Sequence, residues 1–176
     1  DQYGNVVNFR GEPYIPGHEA VGTIAEIGPD VTGFAVGDRV VIEPGIPCRR
    51  CDYCHRGLYN LCPNVVFLSA PPVNGTFAEY TAVDSDFLFP VPPGLSDEEA
   101  ALVEPVSVGI HACNRASLRP GSSVLVVGGG PIGLVTLLVA KAYGAAHVTV
   151  VDILDSRLQK ATELGAHSVI NPVNVD

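Results

Sequence analysis

The chain has 176 residues, 47% hydrophobic and 16% charged, which is enough apolar material for the core of one domain, or of one and part of a second. That composition excludes a disordered tail. Ten Lys and Arg stand against 19 Asp and Glu, a formal charge of −9; such a surface repels a phosphate backbone instead of releasing its counterions, so no nucleic-acid partner is expected.

No uninterrupted apolar run reaches the ~18 residues of a membrane span. The longest apolar region, Val124 to Ala140, is interrupted by glycines and Pro131, so no membrane partner is expected. The opening Asp1-Gln2 does not read as a secretory leader. Five cysteines, four of them within fifteen positions, favour a metal site in a reducing compartment over a disulfide framework, and the expected location is cytoplasmic. Met is absent even at position 1, which predicts that the sequence begins inside a longer polypeptide.

Thirteen of the 15 prolines precede Gly121, so the two ends of the chain are built differently. From Tyr14 to Val91, short apolar or alternating runs such as Ala20 to Ile27 and Arg39 to Ile42 lie between Gly, Pro and Asp turn signals. They predict a β-rich unit with many loops and no fixed repeat. Gly17-His18-Glu19 stands beside the first of these runs.

Cys48-x-x-Cys51-x-x-Cys54, followed by seven residues and then Cys62, is the strongest chemical signal. Four thiolates on one short lobe can close a tetrahedral shell around Zn²⁺ with no open position, the arrangement of a structural site. Free thiols or two disulfides are the bland alternative. An iron–sulfur cluster is the sharper rival, but ferredoxin spacing separates the last two cysteines by three residues, not seven. Arg49, Arg50 and Arg56 lie among the ligands, where positive charge is expected to favour the thiolates.

Ser96-Asp97-Glu98-Glu99 has the S-x-x-E capping pattern, so a helix is predicted to start there and to end or kink at Pro105. A helical pattern resumes from Val106 to Arg115. After the Arg119-Pro120-Gly121 turn the rhythm becomes strand 123–127, helix 131–143, strand 147–151, helix 155–164 and strand 168–170. Continuous Val and Leu strands of this kind predict a parallel sheet buried on both faces.

Gly128-Gly129-Gly130-Pro131-Ile132-Gly133 fits G-x-G-x-x-G in the context that matters, after an apolar strand and at a helix start. Gly128 permits the tight turn, Gly130 lets backbone approach a pyrophosphate, and Gly133 lets helix and strand pack closely. The N–H groups of the helix start, with Pro131 and Ile132, would meet the anion. Asp152 ends the next strand, where it would accept from the adenosine ribose hydroxyls and repel a 2′-phosphate; this favours NAD over NADP, with Arg157 nearby as a counterweight. The alternative is a glycine turn that packs without a ligand.

Glu104 lies in the apolar stretch Ala100 to Val108, where a carboxylate needs a partner. From the residues alone, His18 reads as a loop histidine, and Glu104 divides between a metal partner and a backbone hydrogen bond. His55, His111, His147, His167 and Cys113 have no partner at ligand spacing and read as structural. No G-x-S-x-G turn and no G-x-x-x-x-G-K-[ST] loop is present, so hydrolase and nucleoside-triphosphatase readings lack a starting residue.

Over nearly its whole length the chain resembles the zinc-dependent medium-chain dehydrogenase/reductase family, and within it the polyol (sorbitol) dehydrogenase branch. The resemblance rests on Gly17 to Ala20, Gly37 to Val40, Ile42 to Gly45, Tyr59 to Pro63, Ala70-Pro71-Pro72, Glu104 to Gly109 and Gly128 to Gly133. It implies an α/β architecture with a β-rich partner. Residues 1–105 would be a GroES-like β-barrel catalytic domain with a structural-zinc lobe at 48–62. Residues 106–176 would be the first, βαβαβ half of a Rossmann doubly wound sheet.

It further implies that His18 and Glu19 ligate a catalytic zinc and that Glu104 ligates the metal or hydrogen-bonds its water. The family's remaining cysteine ligand and its proton-relay hydroxyl precede the start of this chain. The implied reaction moves hydride from a secondary alcohol of a polyol to NAD in a protein that is a homo-oligomer when full length; the chain alone is expected to be inactive. The alternatives are another zinc alcohol or threonine dehydrogenase and, from a different class, a non-catalytic zinc-stabilised binding module.

Overall fold

The computed structural model describes residues 13–174, and the chain divides after Ala101 into two compact units. In the first, β1 (Val21–Thr23) runs antiparallel to β2 (Arg39–Ile42), with Val21 opposite Val41. Then come β3 (Gly45–Ile46), the single-turn helix α1 (Asp52–His55), β4 (Val66–Phe67) and β5 (Leu88–Pro90). β5 takes the other edge of β2, and β3 pairs with β4 as a separate two-stranded ladder.

The central strand is β2 because Val40, Val41 and Ile42 are all buried, β-branched residues that fit a pleated surface covered on both sides. Phe87 and Leu68 are buried in the same unit. The strand expected over Ala20 to Ile27 is shorter than its apolar run, because its partner strand is turned away at Gly37, whose φ of +96° suits glycine.

The predicted capping box forms: Glu99 N donates to Ser96 Oγ at 3.2 Å and Ser96 N to Glu99 Oε2 at 2.9 Å, and this starts α2 (Asp97–Ala101). Arg39 fastens the start of α2 to the sheet through Asp97 and through the Leu95 carbonyl at 3.0 Å.

The second unit opens with α3 (Val103–Arg115), so the helical break falls at Leu102 and not at Pro105. Pro105 occupies the first turn of α3, where the N–H it lacks has no carbonyl to reach, so it neither ends nor kinks the helix. Next follow β6 (Ser123–Val127), α4 (Pro131–Ala142), β7 (His147–Val151), α5 (Asp155–Glu163) and β8 (Ser168–Ile170).

The three strands form a parallel sheet in the order β6-β7-β8, with Ser123 opposite His147 and Thr149 opposite Ser168. Val126, Leu137, Ala140, Val148, Val150, Leu158 and Ala161 make its core. Gly109 lets α3 approach α4 closely, since a Cβ there would lie 3.3 Å from the Thr136 backbone. Burial on both faces of the sheet does not hold along β6: Leu125 and Val127 are 62% and 80% exposed, because they alternate with the core residues Val124 and Val126 onto the other face. Among the described residues no helix is long and apolar enough to cross a membrane.

Candidate functional site

The cysteine lobe is built by the loop into α1 and by the 3-10 turn Tyr59–Leu61, which delivers Cys62. The four Sγ atoms lie within 4.8 Å of one another: Cys51 to Cys54 is 3.4 Å, Cys51 to Cys62 is 3.9 Å and Cys48 to Cys54 is 4.0 Å. A Zn–S bond of about 2.3 Å in a tetrahedron requires sulfurs about 3.8 Å apart, so the shell is sized for one ion. A multi-iron cluster, each metal taking its own thiolate, would hold the sulfurs farther apart, and a disulfide requires about 2.05 Å.

Backbone donors set the electrostatics of this shell. Cys48 N donates to Cys62 Sγ at 3.3 Å. The Arg50 N–H is the main cause that lowers the Cys48 thiol to about 6, whereas burial first, then the neighbouring sulfurs, push Cys54 up to about 12. Backbone donors thus favour the thiolate at Cys48, and burial favours the thiol at Cys54. The expectation that arginine side chains would favour the thiolates is corrected for Arg49. Its guanidinium goes to Asp84 at 2.6 Å and Asp86 at 3.0 Å and lies 5.3 Å over the Phe87 ring.

At the end of β6 the glycine turn adopts the geometry its sequence implies. Gly128, at φ +102°, makes the turn and donates its N–H to Val151 O at 2.7 Å; Gly130 caps α4 in an extended conformation, with Pro131 at the first helical position. A Cβ on Gly133 would collide with the Gly128 carbonyl oxygen, whereas one on Gly130 would meet nothing within 4 Å. The turn is thus closed towards the protein at Gly133 and open at Gly130, where a dinucleotide's pyrophosphate would approach the N–H groups of the first turn of α4. These residues fit NAD.

Asp152 is buried at the end of β7 and holds this turn in place. Its Oδ2 accepts from Gly129 N at 2.7 Å, and its Oδ1 accepts from Leu154 N at 2.8 Å. Arg157, from the first turn of α5, reaches Oδ2 at 3.4 Å. The Leu154 and Gly129 N–H groups, more than Arg157, hold the Asp152 carboxyl below the usual carboxylate range. Each carboxylate oxygen can accept two hydrogen bonds, so Oδ1 retains one lone pair for a further donor.

His18 and Glu19 belong to the first unit, His18 half-buried and Glu19 exposed; Glu104 belongs to the second, half-buried in the first turn of α3. The loop before His18 is fixed by backbone bonds to 74–77: Gly75 N to Ile15 O at 2.6 Å, Phe77 N to Pro16 O at 3.0 Å and Thr76 N to Gly17 O at 2.9 Å. Gly17 has φ +92°, its N–H donates to Ser69 Oγ at 3.0 Å, and a Cβ on it would strike the Phe77 ring. The His18 ring then meets Phe67 edge-on, with centroids 5.2 Å apart.

Two residues that shape these sites, Ser69 and Phe77, escape sequence reasoning, and a third, Arg49, is singled out there for a different role. Ser69 and Phe77 fix the histidine loop from more than fifty positions away, and Arg49 ties the metal lobe to Asp84 and Asp86.

The family model for the alcohol dehydrogenase GroES-like domain matches residues 2–93, and that for zinc-binding dehydrogenase matches residues 131–176. The sorbitol dehydrogenase of Bacillus subtilis (strain 168) is 50% identical over 169 residues, 96% of this chain and 48% of that protein. The L-idonate 5-dehydrogenase of Vitis vinifera is 48% identical over 159 residues, 90% of this chain and 43% of that protein. Among solved structures, a short chain alcohol dehydrogenase from Escherichia coli CFT073 complexed with the cofactor NADH superposes with a TM-score of 0.88 at 34% identity, covering 93% of this chain and 48% of that one. The chain spans about half the length of the curated relatives it matches.

Proposed function

We propose, since the chain belongs to the alcohol dehydrogenase GroES-like domain family, that the whole protein oxidises a secondary alcohol of a polyol and passes hydride to NAD. Cys48, Cys51, Cys54 and Cys62 hold a structural zinc, and His18, Glu19 and Glu104 contribute to a catalytic one. An imidazole with carboxylates is a donor set that suits zinc, and a half-buried histidine braced by Phe67 suits a fixed ligand. Bound there, zinc supplies Lewis acidity towards a hydroxyl oxygen, and NAD supplies the hydride acceptor.

The chain's own residues bind and orient. Gly128, Gly130 and Gly133, with Pro131 and Ile132, present backbone N–H groups to the pyrophosphate. Asp152 accepts from an adenosine ribose hydroxyl through its remaining lone pair, and its charge disfavours a 2′-phosphate; Arg157, at the mouth of the same turn, sets how strong that preference is. The observation that carries the reading is the glycine turn braced by buried Asp152, closed at Gly133 and open at Gly130, where a phosphate would enter.

The test is NAD and NADP reduction by the full-length protein with sorbitol, xylitol, threonine and a primary alcohol. Activity with NAD and a polyol is expected, with no turnover by the 176-residue chain alone. A full-length protein that reduces neither cofactor with any of these, and that holds no metal beyond one sulfur-bound ion, overturns the proposal.

A further inference from the structure

We infer that Arg49 is a latch that closes the metal lobe: its guanidinium, tied to Asp84, Asp86 and Phe87, holds the Cys48-to-Cys51 loop in the conformation that points backbone N–H groups at the sulfurs, and so slows metal release. The inference rests on the reading of the four cysteines as a zinc site. Arg49 has φ +60°, a left-handed conformation unfavourable for any residue with a Cβ. This turn aims the Arg50 N–H at Cys48 and the Arg49 N–H at Cys54. A strained residue persists only where its surroundings over-determine it, and here the side chain supplies the restraint.

The receiving end is itself held in place. Asp84 uses Oδ1 to cap the 3-10 turn Ser85–Phe87, accepting from Asp86 N at 3.0 Å, and presents Oδ2 to Arg49 at 2.6 Å. Asp86 adds a second carboxylate at 3.0 Å. Phe87, whose ring lies under the guanidinium, is buried and takes the Glu43 N–H on its carbonyl at 2.8 Å, which roots the turn beside the central strand. The latch thus joins the metal loop to a fixed point 35 residues later in the chain. Zinc can leave only when the loop's N–H groups turn away from sulfur, and that movement must break the guanidinium's bonds.

The test is transfer of zinc from the loaded protein to a chromophoric chelator in excess. Arg49→Ala is expected to release zinc about tenfold faster at low salt, from the loss of two exposed ion pairs and a cation–π contact together. Arg49→Gly should release more slowly than Arg49→Ala, because glycine accepts the left-handed backbone without strain. Release from the wild type should accelerate in 1 M salt, where the screening length is about 3 Å, while Arg49→Ala should not respond.

If Arg49→Ala does not fold, Asp86→Asn, which leaves the Asp84 cap intact, should still raise release about threefold. The cobalt-substituted wild type reports on the metal reading separately. A thiolate-to-cobalt charge-transfer band together with release that Arg49→Ala or Asp86→Asn leaves at the wild-type rate overturns the latch alone. No band overturns the zinc site and the latch together.

Discussion

Asp152→Ala should unfold the second unit more easily than any surface change. The substitution removes the acceptors of two backbone N–H groups, those of Gly129 at 2.7 Å and Leu154 at 2.8 Å, at a side chain only 4% exposed. The Gly129 N–H is buried, and a buried donor left unpaired costs about 1–3 kcal/mol, whereas Leu154 is exposed and its N–H can turn to water, so the expected loss is about 2–3 kcal/mol, a sizeable part of the roughly 5–15 kcal/mol that holds a typical domain. The Arg157 contact adds little, since that guanidinium is half exposed. Asp152→Asn keeps one acceptor oxygen but turns an N–H₂ towards a second N–H, and should lose about half as much. Urea unfolding followed by circular dichroism measures both. The pH dependence has a definite sign: the folded carboxyl is held below its ordinary value by the Leu154 and Gly129 N–H groups, so its contribution is fully present above the ordinary Asp value of about 3.9 and is lost as the pH falls through the lower, folded value. The gap between wild type and Asp152→Asn should therefore be constant near neutrality and narrow below about pH 4. A stability at pH 7 within about 0.5 kcal/mol of wild type for Asp152→Ala would refute the bracing role.

Other substitutions separate fold from site. Gly133→Ala drives a methyl into the Gly128 carbonyl and should cost about 1–3 kcal/mol as well as NAD binding; Gly130→Ala, with open space at its Cβ, should lose NAD binding by calorimetry at unchanged stability. Gly17→Ala forces an L-residue into φ +92° against the Phe77 ring, and should cost about 1–2 kcal/mol and displace His18, read as lost turnover in the full-length protein. Zinc addition to the metal-free chain should acidify a weakly buffered solution, because the Cys54 thiol, pushed up to about 12, keeps its proton until a cation arrives; Cys62→Ser should abolish stoichiometric uptake, measured by atomic absorption.

The second unit was almost wholly legible, because each of its signals is local. Apolar runs bounded by Gly121, Gly128, Gly144 and Gly165 mark β6 to β8 and the helices between them, and the observed strands end where those runs do. The exposed face of β6 was not legible: a Val-Leu-Val-Val run is the same string whether one face is covered or two. In the first unit the central strand was visible as Arg39 to Ile42, but β3 and β4 were not, since strands of two residues carry no periodicity. The cysteine spacing announced its shell because metal geometry constrains sequence directly. The loop that fixes His18 depends on contacts from Ser69 and 75–77, and such long-range pairings leave no mark in a local pattern.

Both sites hold anionic groups in a chain whose formal charge is already −9. Cations are scarce, and the residues that serve here are mainly peptide N–H groups: those of Cys48 and Arg50 at the sulfurs, those of Gly129 and Leu154 at Asp152, and those of the first turn of α4 at the place where a pyrophosphate would lie. A peptide N–H carries no net charge, cannot titrate and stays where the backbone puts it. It favours an anion without attracting a counter-anion, and when buried it is little affected by salt. The cost is conformational, since aiming backbone donors requires left-handed or extended residues at defined positions. Glycine meets that requirement at Gly128, where the chain turns tightly out of β6. At Arg49 a side chain anchored at a distance meets it instead. The two halves should therefore differ under salt: the glycine turn keeps its shape, while the metal loop, whose restraint includes two exposed ion pairs, loosens as ionic strength rises.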